Sequence, residues 1–147
     1  MDRYWTVYFD GACAPVNTGG GQLWANVARC GWLVQTPDGI TVERGCKTIC
    51  RGHGATNNVA EYHGLIEALK YLKKAGIKAS RLRCYGDSRL VMNQVTGRCR
   101  CRKPHLEVLR RQVRDLLTEV SIDHELIWIP RWQNQEADCL SHSKSVL

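Results

Sequence analysis

Four acidic residues, Asp10, Glu61, Asp87 and Asp138, are spread along the chain at positions where a fold could bring them together. Each alone has a structural explanation, because Asp is common in turns and helix caps and Glu in a first helical turn complements the helix dipole. Carboxylates that converge could not all stay ionised without a cation, because like charges raise one another's pKa. Oxygen ligands without partnering Cys or His favour Mg²⁺ or Mn²⁺, and two such ions about 4 Å apart could clamp the attacking and leaving oxygens of a phosphodiester. The four residues therefore predict phosphoryl-transfer chemistry.

The composition indicates a partner for such a site and excludes several protein classes. The 147 residues include 21 Lys and Arg against 14 Asp and Glu, a net charge of +7 that suits a polyanion. The hydrophobic share of 44% and the charged share of 24% are those of a globular chain rather than a disordered one. The longest strongly apolar stretch, 126–129, is far shorter than a membrane span, and the first residues lack a signal-peptide pattern. We therefore expect no membrane association and a cytoplasmic location.

The eight cysteines raise the alternative of a disulfide-rich or metal-storing protein. Cys99-x-Cys101 and Cys46-x3-Cys50 lack the paired spacing of a zinc ribbon. A disulfide-rich secreted fold is inconsistent with the length of the chain and the missing signal. Metal storage or redox chemistry would require clustered thiols, which the predicted strands do not provide. We expect reduced cysteines, with a local disulfide left open.

The elements that must position the acids begin with three predicted strands. Aromatic and β-branched residues over 4–10 predict a strand that ends at Asp10. Gly19-Gly20-Gly21 indicates a loop, and strand-like runs follow at about 27–35 and 40–48. Pro37-Asp38-Gly39 between those two runs is a hairpin signal. The three strands should therefore be sequential and antiparallel.

Helices alternate with strands in the rest of the chain. Apolar spacing predicts a helix over 58–74, and further helices over 88–95, from near Pro104 to Val120, and over 134–143. Strands are predicted at 82–85 and 125–129. This arrangement puts Glu61 in a first helical turn, Asp87 after a strand and Asp138 inside the last helix. The order βββ-α-β-αα-β-α predicts a single α/β domain over 1–147, with a mixed five-stranded sheet of three antiparallel strands, then two parallel to the first, flanked by helices. Sites in such sheets gather beyond strand ends, where Asp10 and Asp87 are expected.

Four short motifs around these acids resemble those of the type 1 ribonuclease H family. They are Phe9-Asp10-Gly11-Ala12-Cys13, Thr56-Asn57-Asn58-x-x-Glu61, Gly86-Asp87-Ser88 and Asn134-x-Glu136-Ala137-Asp138. The resemblance covers about residues 4 to 143 in the family's order. It implies a ribonuclease H-like fold in which the four carboxylates hold two Mg²⁺ ions, with Mn²⁺ as a substitute, one ion activating water and one stabilising the departing 3′-oxygen. It also implies cleavage of the RNA strand of an RNA–DNA hybrid, giving 5′-phosphate and 3′-hydroxyl ends.

The same resemblance implies contacts with the hybrid. Asn57 and Asn58 match an asparagine pair that can donate to and accept from sugars and base edges, which suits reading of 2′-hydroxyls in a minor groove. The alternative for Asn57 is that it only caps the helix. The remaining matched positions, where the family places minor-groove and phosphate contacts or the neighbour of a catalytic acid, are Cys13, Asn17, Thr56 and Ser88.

Two segments depart from the longer family members. The long basic protrusion is replaced by a six-residue loop whose cations, Arg98, Arg100, Arg102 and Lys103, are expected to contact phosphate, with a solvated charge run as the alternative. The histidine loop before the last acid is also absent. Arg131 resembles the arginine of short-loop members and is the expected replacement, His142 is the weaker candidate, and His124 is placed before the fifth strand.

The leading hypothesis is therefore a monomeric ribonuclease H acting on RNA–DNA hybrids. Two alternatives remain open within the same fold. One is a metal-dependent nuclease with broader specificity that includes double-stranded RNA. The other is a nucleic-acid-binding module without catalysis, which the complete set of four carboxylates disfavours.

Overall fold

Five strands form one mixed sheet in the computed structural model, which describes residues 3–17 and 24–143. The order across the sheet is β3-β2-β1-β4-β5. β1 pairs antiparallel with β2 and β2 with β3, whereas β4 runs parallel to β1 and β5 parallel to β4. This is the predicted topology. The strands are β1 (Trp5–Asn17), β2 (Trp24–Gln35), β3 (Thr41–Arg51), β4 (Ala79–Gly86) and β5 (Ser121–Trp128).

Four α-helices connect and flank these strands in the described part of the chain. They are α1 (Asn57–Lys74), α2 (Arg89–Thr96), α3 (Pro104–Val120) and α4 (Gln135–Ser141), and a short 3-10 turn, Arg131–Gln133, precedes α4. Apolar residues of α1 and α3, including Tyr62, Leu69 and Leu117, pack with Phe9 of β1 in the main core. The predicted glycine loop at 19–21 lies outside the described residues.

Three predicted boundaries that concern candidate residues are wrong, and each has a physical reason. β4 also begins earlier than predicted, at Ala79. β1 does not end at Asp10, because its ladder with β2 continues through the Asp10–Gly31 pair as far as Asn17. β5 begins earlier than predicted, so His124 lies within the strand opposite Leu82 rather than before it. Its early residues are polar because they form ion pairs across the edge of the sheet, as Asp123 and Glu125 do with arginines of β4.

The third wrong boundary concerns Glu61, which lies in the second turn of α1 rather than the first. Thr56 is the N-cap residue, and its hydroxyl accepts a hydrogen bond from the Val59 amide at 3.2 Å. The helix therefore starts at Asn57, and Glu61 is its fifth residue.

Two close backbone approaches bring helices onto opposite faces of the sheet. A Cβ on Gly11 would overlap the backbone of Ala60 and Glu61, so α1 lies directly against β1. A Cβ on Gly31 would overlap the Ser141 amide nitrogen, so α4 lies directly against β2. Gly31 pairs with Asp10, the neighbour of Gly11, so the two glycines face opposite sides. Glycine at both positions places the acid-bearing helices within reach of Asp10.

Two of the eight cysteines are buried in the core. No disulfide joins the cysteines within the part of the chain that the structure describes. Cys30 and Cys84 are buried in the core, and burial raises the pKa of the Cys30 thiol to about 12. Among the described helices, none is both long enough and apolar enough to cross a membrane.

Candidate active site

Three of the four predicted acids meet at one end of the sheet. One carboxylate oxygen from each of Asp10, Glu61 and Asp87 lies within 4.8 Å of the others. Asp10 comes from β1, Glu61 from α1, and Asp87 directly follows β4. Asp10 is 1% exposed and Glu61 8% exposed. Three separate elements therefore deliver their carboxylates to one buried point.

The hydrogen-bonded pairing between β1 and β4 ends next to this cluster. Their pairing ends at Tyr8 and Tyr85, one residue short of the Phe9 carbonyl. That carbonyl instead accepts a hydrogen bond from the Asn134 side-chain amide at 2.9 Å. Asn134 is 1% exposed and immediately precedes α4. The buried side-chain amide of Asn134 therefore hydrogen-bonds to the residue before Asp10, at the point where the parallel pairing stops. This bond joins the start of α4 to β1.

Asp138 approaches the cluster from α4, outside the group of three. Its side chain contacts Asp10, and this contact helps to raise the pKa of Asp10. Ser141, one turn later, is buried and donates to the Asp138 carbonyl at 2.7 Å, with Asp10 Oδ2 at 3.5 Å from the same hydroxyl. The structure therefore brings the fourth predicted acid next to the first.

The electrostatics of the cluster favour a bound cation. Burial raises the pKa of both Asp10 and Glu61, and the pKa rises further through the Asp138 contact at Asp10 and through the Asp10 charge at Glu61. Asp10 Oδ1, Glu61 Oε2 and Asp87 Oδ2 are buried and have no hydrogen-bond partner among residues 3–17 and 24–143. Buried carboxylate oxygens normally have partners, and an all-oxygen donor set is the one that Mg²⁺ and Mn²⁺ prefer. The residues present therefore fit a divalent cation.

The metal-free protein should lose stability through Asp10 as the pH rises. The folded pKa of Asp10 is raised to about 7, so its contribution is fully present below its ordinary pKa and is lost as the pH climbs through the raised value. Asn at position 10 does not titrate. The free energy of unfolding of Asp10→Asn minus that of wild type should therefore be larger at about pH 8 than at about pH 5, measured by urea unfolding with EDTA. A difference in free energy of unfolding that does not change with pH would contradict the burial of an ionisable Asp10. Excess Mg²⁺ should make the difference at about pH 8 smaller.

The two candidate replacements for the missing loop histidine each lie close to a different carboxylate of the predicted set. Arg131 Nε is 4.0 Å from Asp87 Oδ2, and the Arg131 side chain is 75% exposed. His142 Nε2 is 3.4 Å from Asp138 Oδ1, at the end of α4. The exposed guanidinium beside Asp87 can reach a phosphate presented to the cluster from solvent.

The predicted substrate-binding hydroxyls both cap helices. Ser88 caps α2 and accepts from the Val91 amide at 3.2 Å, as Thr56 does at α1. A hydroxyl that accepts one bond keeps its proton for donation, so both side chains can still donate to a phosphate oxygen. The alternative that Asn57 is the cap of α1 is wrong. Its Oδ1 accepts instead from the Cys13 amide at 3.0 Å, which joins α1 to β1 beyond Asp10.

The other predicted contacts are spread around the site rather than at it. The Cys13 thiol donates to the Ala55 carbonyl at 3.2 Å. Asn17, the last residue of β1, lies about 23 Å along the strand from Asp10. Asn58 and Lys103 line the same groove between the starts of α1 and α3. The cations Arg98, Arg100, Arg102 and Lys103 are all exposed and precede α3.

Sequence reasoning missed three residues that shape the site. Asn134 was noted only as part of a motif, although its amide fixes α4 on β1. Trp128 donates from its indole nitrogen to the Asp87 carbonyl at 3.0 Å, and Arg89 stacks on the Trp128 ring. The side chains of these three residues make contacts with distant parts of the chain, which no local pattern reveals. The one available signal was a tryptophan at the end of a strand beside the site.

Comparisons with known proteins agree with this geometry. Residues 19–144 match the family model described as Reverse transcriptase-like. Ribonuclease HI of Halobacterium salinarum is 39% identical over 135 residues, which are 92% of this chain and 61% of that protein. The chain thus spans less than two thirds of that relative's length.

Solved structures show the same likeness over nearly the whole chain. The crystal structure of RNase H1 from Halobacterium salinarum is 36% identical and superimposes with a TM-score of 0.76, covering 93% of each chain. LC11-RNase H1, solved in complex with an RNA/DNA hybrid, is 28% identical with a TM-score of 0.76 and covers 92% of each chain.

Proposed function

This chain belongs to the type 1 ribonuclease H family, and from that membership we propose that it is an endoribonuclease that hydrolyses the RNA strand of RNA–DNA hybrids. The observation that carries the proposal is the convergence of Asp10, Glu61 and Asp87, with Asp138 beside Asp10. The hybrid bound by LC11-RNase H1 supports the choice of substrate. The net charge of +7 supports a polyanionic partner.

The four carboxylates are the proposed metal ligands. When bound, two Mg²⁺ ions, or Mn²⁺ ions in their place, would supply Lewis acidity to the attacking water and the leaving 3′-oxygen. Asp10 is central to the ligand set because it contacts both Glu61 and Asp138. Burial of Asp10 and Glu61 keeps bulk water from competing for their oxygens. The proposed products carry 5′-phosphate and 3′-hydroxyl ends.

Selection of the RNA strand is assigned to the start of α1. Asn57 and Asn58 lie in its first turn, four and three residues before Glu61. The Asn57 side-chain oxygen is held by the Cys13 amide, which leaves its NH₂ group to donate toward a 2′-hydroxyl. Thr56 and Ser88 can donate to neighbouring phosphates. The spacing of three and four residues therefore places both asparagines on the same face of α1 as Glu61.

A substrate panel tests the proposal directly. Hybrid, duplex RNA and duplex DNA, each with its two strands carrying different labels, are incubated with Mg²⁺ or with EDTA. We expect cleavage of the RNA strand of the hybrid only, and only with Mg²⁺. Equal cleavage of duplex RNA would favour the broader nuclease, and binding without cleavage would favour the non-catalytic module.

We also propose a domain organisation, an oligomeric state and a cellular location for the protein. We assign the four motifs to one ribonuclease H domain over 1–147 that works as a monomer in the cytoplasm. All four acids come from the same chain, so the proposed site is complete without a second copy. Sedimentation of the protein with and without hybrid would test the monomer.

The basic loop should contribute affinity rather than chemistry. Replacing Arg98, Arg100, Arg102 and Lys103 together with Ala should raise KM and change kcat less. The four cations are exposed and lie in the loop before α3, whereas the clustered carboxylates come from β1, α1 and the end of β4. Each lost phosphate contact should lower the slope of log affinity against log salt by about 0.7–0.9.

A charge-matched control separates this contact from net charge. Lys70, Lys73 and Lys74 lie in the last two turns of α1 and Lys78 lies beyond its end, and Lys74 is about 20 Å along the helix from Glu61. Replacing these four lysines with Ala should leave the salt slope close to that of wild type. Equal slopes in the two quadruple variants would make the loop a solvated charge run.

A further inference from the structure

The β5 side of the carboxylate cluster carries an arginine stacked on a tryptophan. The guanidinium carbon of Arg89 lies 3.8 Å from the centroid of the Trp128 ring. Trp128 is the last residue of β5 and is 37% exposed, and its indole nitrogen donates to the Asp87 carbonyl. Arg89 is exposed and follows Asp87 by two residues. The pair is therefore attached to the cluster through Asp87 and open to solvent.

The guanidinium of Arg89 has an aromatic partner but, in the part of the chain that the structure describes, no acidic one. Among the described residues, Arg89 forms no salt bridge, whereas Arg83, which stacks on Tyr4 in the same manner, also pairs with Glu125 at 3.3 Å. Stacking uses the face of the guanidinium and leaves the N–H groups on its edge free to donate. A fixed, solvent-facing cation without an acidic partner is suited to an anionic ligand.

The position of Arg89 indicates which strand of a bound duplex it could contact. Across the sheet, Asp10 lies on β1, Asp87 follows β4 and Trp128 ends β5, so the stacked pair lies about 10 Å to one side of Asp10. Asn57 contacts β1 through Cys13, and β4 separates β1 from β5 in the sheet. A strand whose scissile phosphate lies at the carboxylates and whose sugars face Asn57 would therefore continue past Arg89.

We propose that Arg89, held in place by Trp128, binds an RNA-strand phosphate one or two nucleotides from the scissile phosphate. This inference rests on the proposed function. Arginine suits the role because its planar fork can donate two parallel hydrogen bonds to a phosphate, and the tryptophan fixes the plane of that fork before the substrate arrives. Arg131, whose Nε is 4.0 Å from Asp87 Oδ2, is the expected contact for the scissile phosphate, so the two arginines would act on neighbouring phosphates.

The experiment measures hybrid affinity without cleavage. Binding is followed by fluorescence anisotropy with Ca²⁺ in place of Mg²⁺, over a series of salt concentrations. Arg89→Ala should weaken binding about 10-fold and lower the salt slope by about 0.7–0.9. Arg89→Lys should keep the slope but recover only part of the affinity, because an ammonium group lacks the fork. The control is Arg3→Ala, since Arg3 is an exposed arginine that pairs with Asp38 in the β2–β3 turn.

Trp128 variants test the stacking itself. Trp128→Ala should weaken binding about as much as Arg89→Ala, and the double variant should lose little more, because the two residues act as one unit. Trp128→Phe keeps an aromatic ring beneath Arg89, so its loss should be smaller than that of Trp128→Ala. Independent, additive losses would show that Trp128 does not position Arg89.

Neutral methylphosphonate linkages identify the phosphate. One such linkage is placed at successive positions of the RNA strand, or of the DNA strand, in otherwise identical hybrids. At the position contacted by Arg89, wild type and Arg89→Ala should bind equally well. An effect only with DNA-strand linkages would overturn the assignment to RNA. If wild type neither binds nor cuts hybrid, the proposed function fails; if it does both and Arg89→Ala matches Arg3→Ala, only this inference fails.

Discussion

Asp10→Asn should abolish the proposed Mg²⁺-dependent cleavage of the hybrid while the protein remains folded, and this is the largest effect that we expect. The loss should exceed about 100-fold, because even the outer partners of metal ligands typically contribute about 10–100-fold. Asp10 is the acid that contacts Glu61 and Asp138 and shares the cluster with Asp87. An amide at this position removes one ligand charge and presents an NH₂ group where a cation would lie.

The matched control for Asp10→Asn is Asp38→Asn. Asp38 is an exposed aspartate in the β2–β3 turn and pairs with Arg3, so the same change in charge occurs away from the site. Asp38→Asn should retain the cleavage rate of wild type, and circular dichroism should show both variants folded. Retention of more than about a tenth of wild-type activity by Asp10→Asn would contradict a metal site centred on Asp10.

Arg131→Ala should lower kcat at saturating hybrid by about 10–100-fold while raising KM less, as expected for an interaction made chiefly in the transition state. The guanidinium is exposed and lies 4.0 Å from Asp87, so it can face a phosphate held at the cluster. An arginine side chain suits stabilisation of developing phosphate charge and not proton transfer. Rates at saturating hybrid and KM, measured for wild type and variant, separate the two effects.

His142→Ala is the comparison that decides between the two replacements for the loop histidine. We expect it to be nearly silent from about pH 6 to pH 9, the range in which a histidine would titrate if it carried the proton. Its ring is exposed and touches Asp138 at the end of α4. A silent Arg131→Ala together with a large, pH-dependent loss in His142→Ala would transfer the role to the histidine.

The element order and sheet topology could be predicted because the periodicity of apolar residues changes clearly along the chain. The end of β1 could not be predicted. A strand that ends at Asp10 and one that continues beyond it in a ladder with β2 have the same local sequence. What distinguishes Asp10 is that β1 no longer pairs with β4 at this residue. The end of that pairing depends on a strand about 75 residues away in the sequence.

The acids themselves were predictable, but the contacts that hold them were not. Asp10, Glu61, Asp87 and Asp138 stand out by residue type and by the elements around them. The bond from Asn134 to the Phe9 carbonyl and the indole bond from Trp128 to the Asp87 carbonyl depend on tertiary packing. The sequence could not decide whether Asn57 caps α1, since Thr56 and Asn57 are both good caps and only the geometry at Cys13 separates them.

Metal binding tests the central claim, that the four carboxylates form a divalent-cation site, most directly. Mn²⁺ is titrated into the metal-free protein, and the free ion is followed by electron paramagnetic resonance for wild type, Asp38→Asn and Asp10→Asn. We expect wild type and Asp38→Asn to bind Mn²⁺ equally, in competition with Mg²⁺, and Asp10→Asn to bind it at least about 10-fold more weakly. Equal Mn²⁺ binding by all three proteins would show that the cluster around Asp10 is not a metal site.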